Sequence, residues 1–259
     1  MTGGKLKIDI RRKRILEQLR LEGKVSVTQL AQMLDVTPVT LRNDLTVLEQ
    51  EGQLVRIQGG AILKPGVEDF SSVQPLTDET AREKKDIALT AVRLVKDGDT
   101  LFINSGTTTE YVAEALTARR NLNVVTNSLA VAKKLGTVAS IRVLLIGGEI
   151  NAQYGFTHGG DAQVQLLRYQ ADWAILSVDG ISAQGGITTY HAQEAVIDRM
   201  MIRGAKHTMI VADRRKVGRT GFTRVCDCTE NICLVTDGGD INALDGLANA
   251  GMRIIHPVQ

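Results

Sequence analysis

The sequence predicts an α/β protein in two parts: an N-terminal winged helix-turn-helix and a C-terminal α/β domain with a mostly parallel sheet. Two observations predict this class. Residues 10–52 carry three short helical patterns, and a Gly-Gly pair follows them, whereas residues 81–259 alternate short apolar runs with amphipathic patterns. We therefore expect domains at residues 1–63 and 81–259, joined by a linker at 64–80 that carries two of the four prolines.

The first two helical patterns begin the head, residues 1–63. Residues Ile10–Leu21 present one apolar face, and Gly23 ends the pattern. In the following "SVTQLAQML", Ser26 and Gln29 have the S-x-x-Q spacing of a capping box, in which each side chain accepts the other residue's backbone N–H. We expect a second helix to start there.

The third pattern follows the tight turn "DVTP". Thr37 is suited to the N-cap and Pro38 to the first helical position. Leu41, Leu45 and Leu48 then form a buried seam. Two short helices joined by a tight turn are typical of a helix-turn-helix.

The outer face of this third helix carries side chains that suit base edges. Arg and Asn can read guanine and adenine bidentately, and Thr can contact a thymine methyl or a phosphate. The alternating "QLVRIQGGAIL" predicts a two-stranded wing whose Arg56 meets the DNA backbone or minor groove. The predicted DNA contacts are Arg11, Arg12, Ser26, Thr28, Thr37, Val39, Thr40, Arg42, Asn43, Thr46, Arg56, Gln58, Gly59 and Gly60. A three-helix domain used for dimerisation or a protein partner is the alternative.

Charge agrees with this division but does not decide it. Residues 1–64 contain 11 Lys and Arg against 7 Asp and Glu, and the rest of the chain contains 20 against 22. A basic head on a slightly acidic body is what a nucleic-acid-binding head predicts. Ordinary scatter of surface charge is the alternative.

Composition points to a protein with real hydrophobic cores, at 43% hydrophobic and 23% charged residues. The apolar runs are too short to span a bilayer, and no apolar segment follows the basic amino terminus, so we expect a cytoplasmic protein without membrane contact. Cys226, Cys228 and Cys233 are expected to be reduced thiols. A C-x-C-x4-C metal cluster is the alternative, but no fourth ligand is near, and we expect neither a metal nor a cofactor.

The body, residues 81–259, alternates predicted strands and helices after a first helix at 81–96. Strands are expected at 100–104, 122–126, 141–146, 173–178, 208–211 and 232–236, and helices at 108–118, 128–135, 163–169, 193–204 and 241–250. In such sheets, ligands bind beyond the carboxyl ends of the strands. Small or polar clusters fall at four of those ends: Asn104 to Thr108, Thr126-Asn127, Gly147-Gly148-Glu149 and Asp179-Gly180.

The first of these clusters, in "FINSGTTTEYVAEAL", suits a phosphate. Gly106 lets the backbone approach closely, and the N–H groups of Thr107, Thr108 and Thr109 open a helix whose dipole favours an anion. A simple N-cap is the alternative for such a turn. Since no Gly-Lys-[Ser/Thr] follows, the turn is not a Walker P-loop.

Nearly the whole chain resembles the DeoR family of sugar-operon regulators. In the head, the resemblance rests on Thr40, Arg42, Asp44 and Leu45, then on Leu48, Gly52, Arg56 and Gly59-Gly60-Ala61. In the body it rests on "FINSGTTTEYVAEAL", "VVTNSLAVAKKL", "LLIGGEI", "DWAILSVDGI" and "VADRRKVGRTGF". The family often has a basic residue where Asn43 stands and usually an aspartate where Asn104 stands.

This resemblance implies a body with a fold similar to ribose-phosphate isomerase that binds phosphorylated sugars as effectors, and a protein that represses an operon. Because helix-turn-helix proteins usually read two half-sites, we also expect a homo-oligomer, dimer or tetramer. With the clusters at the strand ends, the resemblance gives the predicted effector contacts: Asn104, Ser105, Gly106, Thr107, Thr108, Thr109, Thr126, Asn127, Gly147, Gly148, Asp179, Glu194 and Lys216. For Lys216, a solvated position in a basic loop is an equal alternative.

Comparison with the isomerases tests for catalysis. Their D-G-A-D turn stands here as Asp179 to Ser182, so the second aspartate is missing, and Gln184 replaces their lysine. Glu194 falls near the position of their glutamate base. With two of four groups retained, the resemblance implies a site that holds a sugar phosphate without converting it, and no catalytic residue. A sugar-phosphate isomerase with an accessory head is the alternative function.

Overall fold

A computed structural model describes residues 11, 12, 14–16, 18–19, 24–50, 54–57, 59–62, 78–152 and 154–257. The chain divides into two compact units, residues 1–74 and 75–259. The first unit contains the head predicted above, and that name is kept for it. The second is called the sensor unit. None of the helices in these ranges combines the length and the apolar character that a bilayer crossing requires.

The head is a small helical domain with a three-stranded sheet. Helical residues 11, 12, 14–16, 18 and 19 form α1, followed by β1 (Lys24–Ser26), α2 (Val27–Met33), α3 (Pro38–Gln50), β2 (Val55–Ile57) and β3 (Gly60–Ile62). The strands pair antiparallel in the order β1-β3-β2. The predicted wing is therefore present and is joined by a third strand, β1, whose three residues are too few to show a period in the sequence.

Two predicted helix starts have different outcomes. The N-cap at Thr37 is confirmed, because its Oγ1 accepts the Thr40 backbone N–H at 3.2 Å. The capping box at Ser26 is wrong: Ser26 precedes α2 with an extended backbone but makes no side-chain capping bond. The reason is strand pairing, since Ser26 pairs with Gly60 and the Val27 N–H donates to the Gly59 carbonyl at 2.9 Å.

The sensor unit is built around a seven-stranded sheet in which every neighbouring pair is parallel, in the order β15-β14-β12-β9-β4-β5-β6. These strands are β4 (Thr100–Ile103), β5 (Asn123–Thr126), β6 (Arg142–Leu145), β9 (Ala171–Leu176), β12 (Ala205–Val211), β14 (Ile232–Val235) and β15 (Arg253–Ile255). The predicted fold class is confirmed.

Helices cover both faces of this sheet and give it two cores. They are α4 (Asp78–Arg93), α5 (Thr107–Leu116), α6 (Leu129–Leu135), α7 (Gly160–Leu166), α8 (Ala192–Arg203) and α9 (Ile241–Asn249). The first three supply one core, with Ile87, Val112 and Val131. The last three supply the other, with Ala162, Ile197 and Leu247. Because α4 starts at Asp78, it takes up the end of the predicted linker, whose residues 64–77 lie outside the described ranges.

Two small antiparallel sheets were not predicted. One is the hairpin β7 (Glu149–Asn151) and β8 (Phe156–His158), and the other joins β10 (Gly180–Ser182), β11 (Gly186–Thr189) and β13 (Thr223–Cys226). Their three- and four-residue strands are too short for a periodic signal.

The register of the large sheet brings several predicted residues to one edge. Ile103 pairs with Thr126 on one side and with Ile175 on the other. Asn104, Asn127 and Ser177 therefore follow the carboxyl ends of three adjacent strands. This edge positions the site.

Candidate functional site

The outer face of α3 in the head is open, as predicted. Leu41, Leu45 and Leu48 are buried, whereas Arg42 and Asn43 are exposed. Val39 is 63% exposed, an apolar side chain that suits a thymine methyl. Thr37 and Thr28 are exposed, and Thr40 is half-buried. The face thus presents side chains suited to reading bases, and no other part of the described chain covers them.

The wing and α3 are tied together at this face. The Arg56 guanidinium donates to Thr46 Oγ1 at 2.9 Å, and the Arg56 backbone N–H donates to a carboxylate oxygen of Glu49 at 2.9 Å. Thr46 in turn donates to the Arg42 carbonyl. Arg56 and Thr46 therefore position the wing against the helix as well as facing outward.

Arg11 requires a correction. It is 8% exposed, and its guanidinium makes two hydrogen bonds to the buried carboxylate of Asp44, at 2.6 Å and 3.2 Å. These bonds raise the pKa of Arg11 further. Arg12 also donates to Asp44, at 3.2 Å, with its side chain 27% exposed. Arg11 thus anchors α1 to α3, a role that Arg12 shares, and little of the Arg11 side chain remains exposed for DNA.

Gly60 is the second correction in the head. A side chain there would meet the Val25 carbonyl oxygen at 1.9 Å, so the glycine is needed for the close pairing of β3 with β1. Gly60 is buried, whereas Gly59 is exposed with φ +79° in the turn of the wing. Ser26 is half-buried within β1. Gln58 lies outside the described residues.

The Ser-Gly-Thr turn of the sensor unit lies at the strand edge described above. Gly106 precedes α5 with φ +149°, and a Cβ there would lie 2.6 Å from Cβ of Ser177. Only glycine fits this close approach. The first N–H groups of α5 have no partner within the helix and carry its positive dipole end. The predicted anion-binding turn has the required geometry.

A chain of hydrogen bonds connects this turn to two carboxylates. Ser105 Oγ donates to Glu194 at 2.9 Å, and Thr189 Oγ1 lies 2.6 Å from the other oxygen of Glu194. Thr189 Oγ1 also lies 3.1 Å from Asp179, which in turn accepts the Tyr190 N–H. Asp179 and Glu194, which are 15 positions apart in the sequence, therefore belong to one site with the turn.

Glu194 and Asp198 are an unusual buried acidic pair one turn apart on α8. Burial raises the pKa of Glu194 to about 7. Burial and the neighbouring Glu194 hold the pKa of Asp198 well above its ordinary value. Oδ2 of Asp198 has no hydrogen-bond partner among the described residues, which agrees with a neutral carboxyl.

Lys84 on α4 is the cation of the site, and sequence reasoning missed it. Its side chain is buried, and its Nζ donates to Thr107 Oγ1 at the start of α5. Burial lowers the pKa of Lys84, and the nearby Arg215 and Lys216 lower it further, against the opposing effect of Asp213. One signal was available: Lys84 falls in the apolar stripe of α4, three, four and seven residues before Ile87, Ala88 and Ala91.

Lys216 lies at the same site. Its Nζ is 3.3 Å from Oδ1 of Asp179, and its side chain is 24% exposed. The structure therefore places Lys216 beside the carboxylates, although a solvated position was an equal prediction. Ser182 Oγ is held by Thr220 and the Gly185 N–H.

Several predicted contacts support the site from inside. Asn104 is fully buried and bonds both the N–H and the carbonyl of Ser177. Thr109 and Thr126 donate to the carbonyls of Gly106 and Ile103. These three side chains bond within the protein and so support the turn. Thr108 is also buried.

Asn127, Gly147 and Gly148 belong to the neighbouring loops. Asn127 donates to the Thr157 carbonyl and is fully buried. The Gly147 N–H donates to the Gln165 side chain, and a Cβ at Gly148 would lie 2.3 Å from the His158 carbonyl oxygen. These residues shape the backbone at the ends of β5 and β6, and Oδ1 of Asn127 is buried without a hydrogen-bond partner among the described residues.

The cysteines take no part in this site. All three are free, and burial raises the pKa of Cys226 and Cys233 to about 11, so both are thiols at neutral pH. Within the described ranges, no group of three or more His, Cys, Asp or Glu side chains is placed to hold a metal ion.

Comparison with known proteins finds matches to both parts of the chain. Residues 11–65 match the model of the DeoR-like helix-turn-helix domain, and residues 79–238 match that of the DeoR C terminal sensor domain. The putative aga operon transcriptional repressor of Escherichia coli O157:H7 is 32% identical over 254 residues, covering 95% of this chain and 92% of that protein. The glycerol-3-phosphate regulon repressor of Escherichia coli K12 is 34% identical, covering 82% and 83%. The transcriptional repressor GlcR of Bacillus subtilis is 32% identical, covering 86% of each.

Solved structures with similar folds include a regulator and an enzyme. The full-length sorbitol operon regulator SorC of Klebsiella pneumoniae aligns over 94% of this chain and all of that one, with a TM-score of 0.39 and 14% identity. The ribose 5-phosphate isomerase A of Methanocaldococcus jannaschii aligns over 51% and 52%, with a TM-score of 0.38 and 16% identity.

Proposed function

The chain belongs to the DeoR family of transcriptional regulators, and from that premise we propose that it represses a sugar-catabolic operon and is released from its operator by a phosphorylated sugar. One observation carries the proposal: the Ser105 to Thr109 turn, the buried Lys84 and two carboxylates converge on one site in a chain that also carries a DNA-reading head. The relatives named as repressors support it.

The head reads DNA through α3 in this proposal. Arg42 and Asn43 are exposed next to Val39, and none of the three is engaged in a side-chain bond that the fold requires. They are placed to contact base edges, while Arg56 in the wing contacts backbone. Two half-sites require at least a dimer, so we propose a homo-oligomer, dimer or tetramer, acting in the cytoplasm.

The effector's phosphate binds at the turn. The free N–H groups at the start of α5 and the Lys84 ammonium converge there, and Lys216 adds a second positive charge nearby. A buried lysine that is destabilised by neighbouring cations gains most from an incoming dianion, because the anion restores favourable electrostatics. This preference favours a phosphate over a neutral sugar.

The sugar hydroxyls bind at the carboxylates. Asp179 is held by Lys216 and the Tyr190 N–H, and Glu194 is held by Ser105 and Thr189. Groups fixed in this way can bind hydroxyls with little reorganisation, and sensing requires no more than that. We propose that the site converts nothing, because Ser182 stands where the isomerases have their second aspartate. We also propose that it works without a metal or cofactor.

Release requires that the effector bind unequally to two arrangements of the protein that differ in operator affinity. Fluorescence anisotropy with labelled DNA from the upstream region tests both halves. Binding should fall steeply with salt. Arg42→Ala should weaken it by about 10-fold or more, whereas Gln50→Ala, at the exposed end of the same helix, should not.

Lys84→Met tests the sensor half. It should leave operator binding intact and raise the sugar phosphate concentration needed for release by about 10- to 100-fold. Lys85→Met is the matched control, because Lys85 is the next residue of α4 and is exposed. Failure to bind any upstream DNA contradicts the repressor. Conversion of a pentose or hexose phosphate, followed by NMR, contradicts the non-catalytic sensor.

A further inference from the structure

Aromatic side chains are rare in this chain, yet several of them meet at one place. The chain has four Phe, four Tyr and one Trp. The rings of Tyr154 and Tyr190 lie 4.4 Å and 5.1 Å from the ring of His191. Phe156 lies 6.1 Å from His191 on another side, and Phe222 lies 6.2 Å from Tyr190. We call these five residues the aromatic cluster.

The aromatic cluster adjoins the carboxylates of the effector site. The Tyr190 N–H donates to Oδ2 of Asp179 at 2.9 Å, and Tyr190 follows Thr189, which bonds Glu194. His191 is the N-cap residue of α8, three residues before Glu194. A ligand whose phosphate lies at the turn and whose hydroxyls reach Asp179 and Glu194 therefore extends toward these rings.

The rings differ in exposure in a way that suits a binding surface. Phe156 is 1% exposed, whereas Tyr154, Tyr190 and His191 are half-buried. Phe222 is 81% exposed, so nearly its whole ring faces solvent beside Tyr190. Burial lowers the pKa of His191, so its ring is neutral at neutral pH. The cluster thus offers uncharged flat faces next to a polar, charged site.

We propose that the aromatic cluster is a second subsite that stacks on the C–H face of a closed sugar ring. This inference rests on the proposed function and narrows it, because it selects a cyclic sugar phosphate over an acyclic polyol phosphate. A pyranose or furanose presents a rigid apolar face that an aromatic ring can cover. An open-chain polyol has no such face and loses more conformational freedom on binding. Phe222 covers the outer side of the bound ring.

Calorimetry on the full-length protein tests this inference with paired probes. The probes are ribose 5-phosphate, glucose 6-phosphate, glucosamine 6-phosphate and galactosamine 6-phosphate, each compared with its borohydride-reduced alditol phosphate, together with inorganic phosphate. We expect the cyclic member of the pair that binds best to exceed its alditol by about 10-fold. Phe222→Ala should weaken that cyclic sugar phosphate about 3- to 10-fold and leave inorganic phosphate unchanged.

Leu167→Ala is the matched control, since Leu167 is a similarly exposed apolar residue at the C-cap of α7, and it should change neither affinity. Equal binding of sugar and alditol, or an unchanged affinity in Phe222→Ala, overturns the inference and leaves the phosphorylated-sugar sensor standing. Absence of binding by all four pairs and by inorganic phosphate overturns both. Weaker binding of inorganic phosphate in Phe222→Ala also overturns it, because the ring would then act on the phosphate subsite.

Discussion

Nδ2 of Asn104 donates a 3.0 Å hydrogen bond to Oδ1 of Asp198, a residue 94 positions away in the chain. Both side chains are fully buried. Asn104 also bonds the N–H and the carbonyl of Ser177, so it joins β4, β9 and α8 just beneath the effector turn. The amide at position 104, where the family usually has an aspartate, is therefore matched to the carboxyl at position 198.

This match predicts the effect of restoring the aspartate. Asn104→Asp would place two carboxyls 3.0 Å apart in a buried site, and we expect it to destabilise the sensor unit by about 3 kcal/mol at pH 8. The loss should be smaller at pH 5, where the pair can hold protons. Urea unfolding followed by the fluorescence of Trp173, the single tryptophan, reports on the sensor unit alone.

Exchanging the pair supplies the control. In Asn104→Asp with Asp198→Asn, the amide again faces a carboxyl, so the part of the stability that this contact supplies should return. The bond from position 104 to the Ser177 carbonyl stays lost in both variants. A double variant as unstable as Asn104→Asp alone would show that the contact between these two side chains is not the cause.

The raised pKa of Glu194 predicts how stability depends on pH. Its folded pKa of about 7 lies above its ordinary value of 4.5, so the folded protein holds a proton that the unfolded chain has lost. This residue's contribution to the free energy of unfolding should therefore fall between about pH 4.5 and 7, by on the order of 3 kcal/mol. Urea unfolding of wild type and Glu194→Gln at pH 5, 6, 7 and 8 measures it.

The free energy of unfolding should decline less steeply with pH in Glu194→Gln than in wild type. The wild type should therefore lose more stability than the variant between pH 5 and pH 8. Asp198, whose pKa is also raised, leaves a residual slope of the same sign. The lowered pKa of His191 acts in the opposite direction, because its contribution to the free energy of unfolding is lost as the pH falls below 6.5. Parallel curves for the two proteins would contradict the buried, protonated Glu194.

In the head, Asp44 and Arg42 predict separable effects. Asp44→Asn leaves Arg11 buried without its counter-ion and should destabilise the head by about 3 kcal/mol. Arg42→Ala removes an exposed side chain and should leave stability unchanged while operator binding is lost. Hydrogen exchange at the α3 amides, measured by mass spectrometry, distinguishes them. Faster exchange than in wild type for Arg42→Ala would contradict these assignments. An unchanged exchange rate in Asp44→Asn would contradict them too.

Gly106 predicts a variant that binds DNA but does not respond to effector. A Cβ in Gly106→Ala would meet Ser177 at 2.6 Å, and φ is +149°, so the turn must move. We expect operator binding to persist and release by sugar phosphate to be lost. In Gly98→Ala, φ is +92° but no atom lies within 4 Å, so release should be retained. Anisotropy titrations compare the two, and normal release in Gly106→Ala would show that the turn does not hold the phosphate.

The sequence predicted the parts of the site whose residues lie close together in the chain. Strand, small-residue turn and helix start follow each other from Phe102 to Leu116, so the turn was found without the structure. The exposed face of α3 was predicted in the same way, because helical spacing alone separates its leucines from Arg42 and Asn43.

Roles that depend on distant partners were missed or misassigned. Arg11 was taken for a DNA contact because the sequence does not show that Asp44, 33 residues on, would bury it. Lys84 was overlooked because Thr107, its partner, lies 23 residues away in another helix. The capping box at Ser26 was displaced by pairing with Gly60.

By itself, the sequence determined the two-part architecture, the parallel sheet, the exposed face of α3 and the small-residue turn before α5, because local periodicity and turn chemistry encode each of them. The tertiary structure decided which charged side chains are buried, which carboxyl groups have raised pKa values and which aromatic rings lie beside them. Burial and electrostatics at a site depend on contacts between elements that are tens of residues apart, such as Ser105 and Glu194. Apart from the position of Lys84 in the apolar stripe of α4, no local pattern carries that information.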